Sequence, residues 1–128
     1  MINDKKRKVK EIENPEFNTI SINLTKQLSK EVKQQNGIFF TPKSIIKKLV
    51  DEISKIKSLS SFKLILEPSC GSCEIVMYLN SVFKKVHIDA IEFNNDIYKE
   101  ISNLEFGDDN QIEIRFDDIE KAHLVADF

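Results

Sequence analysis

Proline, glycine and cysteine are scarce in this sequence, at three, three and two of 128 residues. Long apolar runs are missing altogether. With no stretch of roughly 18 apolar residues, no membrane-spanning helix is expected. The first ten residues, Met1 to Lys10, also lack the apolar core of a secretory signal. Two cysteines cannot form a disulfide scaffold, so the natural compartment is reducing and intracellular. That means cytoplasmic, or nuclear if the basic N-terminal run is an address. Three glycines leave no G-x-G-x-x-G and no G-x-x-x-x-G-K-[ST], which removes the usual dinucleotide and ATP loops.

What is present fits one globular domain, with 41% hydrophobic and 31% charged residues. A chain this long buries about two-thirds of its unfolded surface. The net charge of −2 hides an asymmetry. Residues 1–63 hold 14 Lys and Arg against 7 Asp and Glu, and residues 64–128 hold 5 against 14. A basic half beside an acidic half suggests a surface for an anionic partner such as nucleic acid, with solvated helix faces as the plainer reading.

Residues 1–20 read as a basic, disordered tail carrying Lys5, Lys6, Arg7, Lys8 and Lys10. In residues 21–35, Ile22, Leu24, Leu28 and Val32 form a helical stripe, with Thr25 as a candidate cap and Asn36-Gly37 as a stop. Thr41 and Pro42 suit the N-cap and first position of a helix running to about Lys57. Its apolar face is Ile45, Ile46, Leu49, Val50, Ile53 and Ile56; Lys43, Lys47, Lys48 and Lys55 lie opposite. From residue 61 the pattern becomes strand, helix, strand, helix, strand. The strands are Phe62–Glu67, Val86–Glu92 and Gln111–Phe116, and the helices begin near Glu74 and Asn94. The near-continuous run Leu64-Ile65-Leu66 suggests a sheet covered on both faces. This βαβαβ order makes an α/β chain with parallel strands, half of a doubly wound sheet.

In such a sheet ligands bind beyond the carboxyl ends of the strands. Here those ends carry Glu67, Glu92 and the pair Asp117 and Asp118. Carboxylates gathered on one rim repel each other, so a ligand offering hydroxyls, amines or positive charge would account for them. After the first strand, Ser69, Gly71 and Ser72 let the backbone approach a ligand beside a helix N-terminus. An acid roughly 20 residues past a glycine turn commonly binds ribose hydroxyls, and Glu92 stands there. A nucleoside without a pyrophosphate fits this pattern best.

These residues carry a resemblance. Glu67-Pro68-Ser69-Cys70-Gly71-Ser72-Cys73 resembles the D/E-P-x-x-G-x-G loop of DNA adenine-N6 methyltransferases, which binds S-adenosylmethionine. Gly37-Ile38-Phe39-Phe40-Thr41-Pro42 resembles the G-x-[FY]-[FY]-T-P segment upstream of that loop. Ile91-Glu92-Phe93-Asn94 and Phe116-Asp117-Asp118-Ile119 resemble the later ribose and adenine segments. Together the four segments span residues 37–119 in the family's order. The resemblance implies an incomplete Rossmann-like fold with strand order 3-2-1. Phe40, Thr41 and Pro42 would meet the methionine end of the cofactor. Glu67, Pro68, Ser69 and Gly71 would form its loop, with Glu67 near the ammonium. Glu92 would accept from the ribose hydroxyls, Asp117 or Asp118 from the adenine amine, and Phe93 or Ile119 would flank the ring.

The sequence departs from the family at two places. Cys73 replaces the second loop glycine. The base-holding [DNS]-P-P-[YFW] element is absent, since the prolines are Pro15, Pro42 and Pro68. The resemblance therefore implies the cofactor-binding, N-terminal part of a methyltransferase of the restriction–modification kind, truncated before its catalytic motif. DNA and a C-terminal half would be its partners, and the first strand would show an exposed apolar edge. On this basis the chain divides into the tail (1–20), helices with the F-F-T-P segment (21–60) and a partial cofactor domain (61–128). The alternative is an inactive cofactor- or partner-binding remnant. A thiol–disulfide role for Cys70 and Cys73 has less behind it, since no proline follows to face the pair. No metal is expected, because His87 and His123 make no known zinc spacing with the cysteines. His87 reads as a structural histidine.

Overall fold

The computed structural model describes residues 14–35 and 38–117. Three parallel strands, β1 (Leu64–Glu67), β2 (His87–Glu92) and β3 (Gln111–Phe116), form an open sheet in the order β1-β2-β3. This is the expected Rossmann-like arrangement. The crossovers are α4 (Glu74–Val82) and α5 (Asn95–Ile101). The register pairs Leu64 with His87, Glu67 with Ala90 and Glu92 with Phe116, which brings the strand ends to one edge.

Alternation in β2 sets the two faces of the sheet. Ile88, Ala90 and Glu92 are buried under the helices. There Ile88 and Ala90 join Ile46 and Val50 of α3 (Lys43–Ile56), Val76 and Leu79 of α4, Ile101 of α5 and both cysteines in one core. The other face is open. Leu64 and Leu66 are 52% and 54% exposed, so β1 is not covered on both faces as its apolar run suggests. β1 is also an edge strand. The apolar stripe of α3 is likewise wider than its contact: Ile45, Leu49 and Ile56 stay exposed.

Before the sheet lie α1 (Thr19–Gln27), α2 (Lys30–Gln35) and α3, with a short 3-10 turn (Leu59–Ser61) ahead of β1. The expected single helix over 21–35 is two. Leu28 turns extended, and the Ser29 hydroxyl accepts the Val32 amide at 3.1 Å, a local cap that restarts the helix. Asn18 rather than Thr25 caps α1, its Oδ1 accepting from Ser21 at 2.7 Å. Pro42, not Thr41, is the cap residue of α3, and it makes no side-chain cap bond. The start of α3 is satisfied from a distance: the Glu16 carbonyl takes the Lys43 amide at 2.8 Å, and its carboxylate takes the Ser44 amide and hydroxyl. A carboxylate there also opposes the positive end of the helix dipole. The tail boundary at residue 20 therefore falls inside α1, and residues 14–18 belong to the fold. The basic block before residue 14 and the Asn36-Gly37 stop lie outside the described residues.

A smaller cluster of Leu24, Ile38 and Ile97, with Ile20, Leu28 and Phe40 against it, joins α1 to α5. It anchors the segment after residue 37 beside the strand ends. Among the described residues, no helix is long and apolar enough to cross a membrane.

Candidate functional site

The carboxyl ends of β1 and β2 meet at the turn that follows β1. Gly71 sits at φ +53°, a conformation that favours glycine, and Cys73 at φ 65° repeats it. The turn is pinned by the Cys70 amide to the Ile91 carbonyl at 2.9 Å and the Cys73 amide to the Cys70 carbonyl at 2.8 Å. So Cys73, standing where the related loops have glycine, keeps a glycine-like backbone. Its side chain is fully buried and points into the core rather than over the turn.

Glu92 is the centre of the site. It is 2% exposed, yet both of its oxygens are used. Oε2 accepts the Gly71 amide at 2.7 Å, and Oε1 accepts the Asn94 amide at 2.9 Å. One carboxylate thus ties the end of β2 to the glycine turn after β1 and to the cap of α5, where Asn94 Oδ1 receives the Asp96 and Ile97 amides.

Glu67, half-buried at the end of β1, accepts the Ser69 amide at 3.1 Å. Burial pushes its carboxyl up from the ordinary value of 4.5; the Ser69 bond opposes this, and the Glu92 charge adds to it. A carboxyl raised in the folded state favours folding below 4.5 and loses that benefit as pH rises through the folded value. Glu67→Gln should therefore raise the thermal midpoint at pH 7 relative to the parent, and the gap should close below about pH 4.5. A lower midpoint at pH 7 would mean that the Ser69 bond outweighs burial.

The other expected residues fall around this pair. Phe40 packs on the turn, 3.7 Å from where a Gly71 side chain would begin. Phe93 is partly exposed; with Phe39, Phe40, Ser69, Gly71, Glu92 and Asn94 it lines a cleft of about 60 Å³. Thr41 and Pro42 follow on the same segment, half-buried, and Pro68 is exposed beside Glu67. Asp117 is exposed at the end of β3, its amide on the Glu92 carbonyl at 3.3 Å. Asp118 and Ile119 lie outside the described residues.

A supporting layer carries no sequence signal. Glu74, in the first turn of α4, accepts the Asn18 amide and the Ser21 hydroxyl through Oε1, each at 2.6 Å. Ser21 also meets Ser72 hydroxyl to hydroxyl at 2.6 Å, and the Asn18 side chain donates to the Ser72 carbonyl at 2.9 Å. These bonds fasten α1 to the glycine turn across more than 50 positions of sequence. They were not foreseeable because each partner is an ordinary polar residue in its own neighbourhood.

The cysteines do not suit redox chemistry. Both are buried, and a hydrogen bond with Cys70 together with burial pushes the Cys73 thiol well above its ordinary range. The nucleophilic thiolate is thereby suppressed.

With this geometry established, comparison with known proteins is informative. The model of the family described as N-6 DNA Methylase matches residues 17–111, from the start of α1 to the start of β3. This chain belongs to the N-6 DNA methylase family. Two curated relatives agree. It is 35% identical over 82 residues to Modification methylase CviBIII of Paramecium bursaria Chlorella virus NC1A, covering 64% of this chain and 22% of that protein. It is 32% identical over 78 residues to Type II methyltransferase M.CvrRI of Paramecium bursaria Chlorella virus XZ-6E, covering 61% and 20%. The chain thus spans about a fifth of the length of these relatives. No solved structure gives a significant match. The family match includes the turn, Glu67 and Glu92 and ends before Asp117.

Proposed function

We propose that this chain is the S-adenosylmethionine-binding part of a site-specific DNA adenine-N6 methyltransferase of the restriction–modification kind. The observation that carries the reading is Glu92, whose carboxylate joins the end of β2 to the Gly71 turn and so unites the two elements that would hold a nucleoside. The residues suit such a group chemically. Each Glu92 oxygen accepts one amide and retains capacity for a ribose hydroxyl. Glu67 supplies negative charge for the ammonium, Phe93 an apolar surface for the adenine, and Asp117 an acceptor near its amine. Asp118 and Ile119 are assigned to the same adenine end, and Phe40, Thr41 and Pro42 to the methionine end. When bound, the cofactor supplies the methyl group.

The cleft of about 60 Å³ is far below the roughly 300 Å³ or more of small-molecule sites. We infer that Phe40, which packs on the turn, moves aside when the group binds. Phe39, 77% exposed, has little packing to lose. Lys43, Lys47 and Lys48 are exposed on α3, and contact with DNA phosphates is assigned to them. Holding the target base is assigned to the part of such an enzyme that carries the [DNS]-P-P-[YFW] element, which would pair with the β1 edge and cover Leu64 and Leu66.

The test is calorimetry with S-adenosylmethionine, followed by transfer of labelled methyl to DNA by the chain alone and by the chain mixed with the C-terminal remainder of a relative. The expected results are binding, no transfer alone, and transfer on mixing. Methylation by the chain alone would refute the division of labour. Absence of both binding and complementation would leave an inactive remnant.

A further inference from the structure

The open face of the sheet carries a second cluster, on the opposite side from Glu92. In β2, His87 and Asp89 point away from the helices, two positions apart on one face. Across the parallel register, Asp89 pairs with Glu113 of β3. One ligand atom from each of the three lies within 4.8 Å of the others. Two carboxylates placed side by side on neighbouring strands repel. The cation beside them is Arg115, whose Nη2 donates to Asp89 Oδ2 at 3.1 Å. Among the described residues, two other atoms of the cluster, Asp89 Oδ1 and His87 Nε2, are out of solvent and have no hydrogen-bond partner. An acceptor-only oxygen and an imidazole nitrogen left bare in the same cluster are an uncommon combination in a native fold.

We propose that His87 Nε2, Asp89 Oδ1 and the Glu113 carboxylate bind a divalent first-row transition ion of the Zn²⁺ class. The ion neutralises the carboxylate pair and satisfies both bare atoms. Imidazole among the ligands favours such an ion over Mg²⁺ or Ca²⁺, which take oxygen. Zinc holds its ligand atoms about 2.0–2.2 Å away, and these atoms already lie within 4.8 Å of one another, so a small movement of one ligand closes any remaining gap. Glu113 is exposed and free to make that movement. Arg115 becomes the outer partner that fixes the Asp89 carboxylate, leaving Oδ1 toward the ion. Three protein ligands leave a further position for water. The site would clip β2 to β3 and does not depend on the methyl-transfer reading.

The experiment titrates Zn²⁺ into the metal-free full chain by calorimetry, with Co²⁺ absorption reporting the ligand type. One ion per chain is expected, with a thermal midpoint raised by Zn²⁺ but not by Mg²⁺, and a Co²⁺ spectrum without a thiolate band. His87→Gln and Glu113→Gln should each weaken Zn²⁺ binding about tenfold or more. Glu113→Gln alters an exposed side chain and keeps the test valid even if His87→Gln fails to fold. Absence of binding, unchanged affinity in Glu113→Gln, or a thiolate band that assigns the ion to the cysteines would each overturn the proposal.

Discussion

Replacing Glu92 with alanine is expected to lower folding stability by about 3 kcal/mol and to abolish measurable binding of S-adenosylmethionine. The stability loss follows from the two backbone bonds. Amides donating to a charged acceptor contribute about 1.5–3 kcal/mol each, and burial prevents water from replacing the lost oxygens in full. Without Glu92, the Gly71 and Asn94 amides lose the acceptors they have at 2.7 and 2.9 Å. The turn then relies on its two backbone bonds, the Glu67–Ser69 bond and the bonds of Ser72 to Asn18 and Ser21. Glu92→Gln separates the contributions, since one oxygen still accepts while the new NH2 group faces a donor; it should fall between parent and alanine in stability. Urea denaturation followed by circular dichroism reads the first effect and calorimetry the second. If Glu92→Ala kept full stability, the carboxylate would have no structural role in the turn.

The second large effect is expected at Glu74. Glu74→Ala should cost about 2 kcal/mol, because one oxygen serves both the Asn18 amide and the Ser21 hydroxyl at 2.6 Å. It should also loosen α1, which keeps only its Ser72 bonds to the glycine turn, so that limited proteolysis cuts within residues 14–27 before it cuts the sheet. Glu74→Gln retains an acceptor and should restore most of the protection. Equal cleavage of parent and Glu74→Ala would show that the Ser72 bonds and the apolar contacts of Leu24 and Ile20 hold the helix without Glu74.

The contrast between these two residues shows how far the sequence could be read. Glu92 was visible because a strand-ending acid lies a fixed distance past a glycine turn, and both features are local. The strands and crossovers were visible for the same reason, since periodicity of Ile, Val and Leu reports an element from its own residues. Glu74 was hidden because its partners lie 53 and 56 positions earlier. Glu16, which satisfies the start of α3 across 28 positions, was hidden likewise, and Thr41-Pro42 beside the helix supplied a plausible but incorrect local cap. The run Leu64-Ile65-Leu66 misled for a different reason. Apolar residues on both sides of a strand record what each face can accept, not whether anything covers it. At Cys73 a side chain stands where the resembled loops have glycine, yet the backbone adopts φ 65°, and only the dihedral angle reveals this.

The bonds between Asn18, Ser21, Ser72 and Glu74 also set an order of events during synthesis. α1 has nine residues, too few to persist alone in water. Its docking surface is the turn and first helical residues near position 72, which leave the ribosome more than 50 residues later. At about 5–20 residues per second, that is an interval of several seconds. Throughout it, Leu24 and Ile20 lack most of the core they enter, so α1 docks only on segments made well after it.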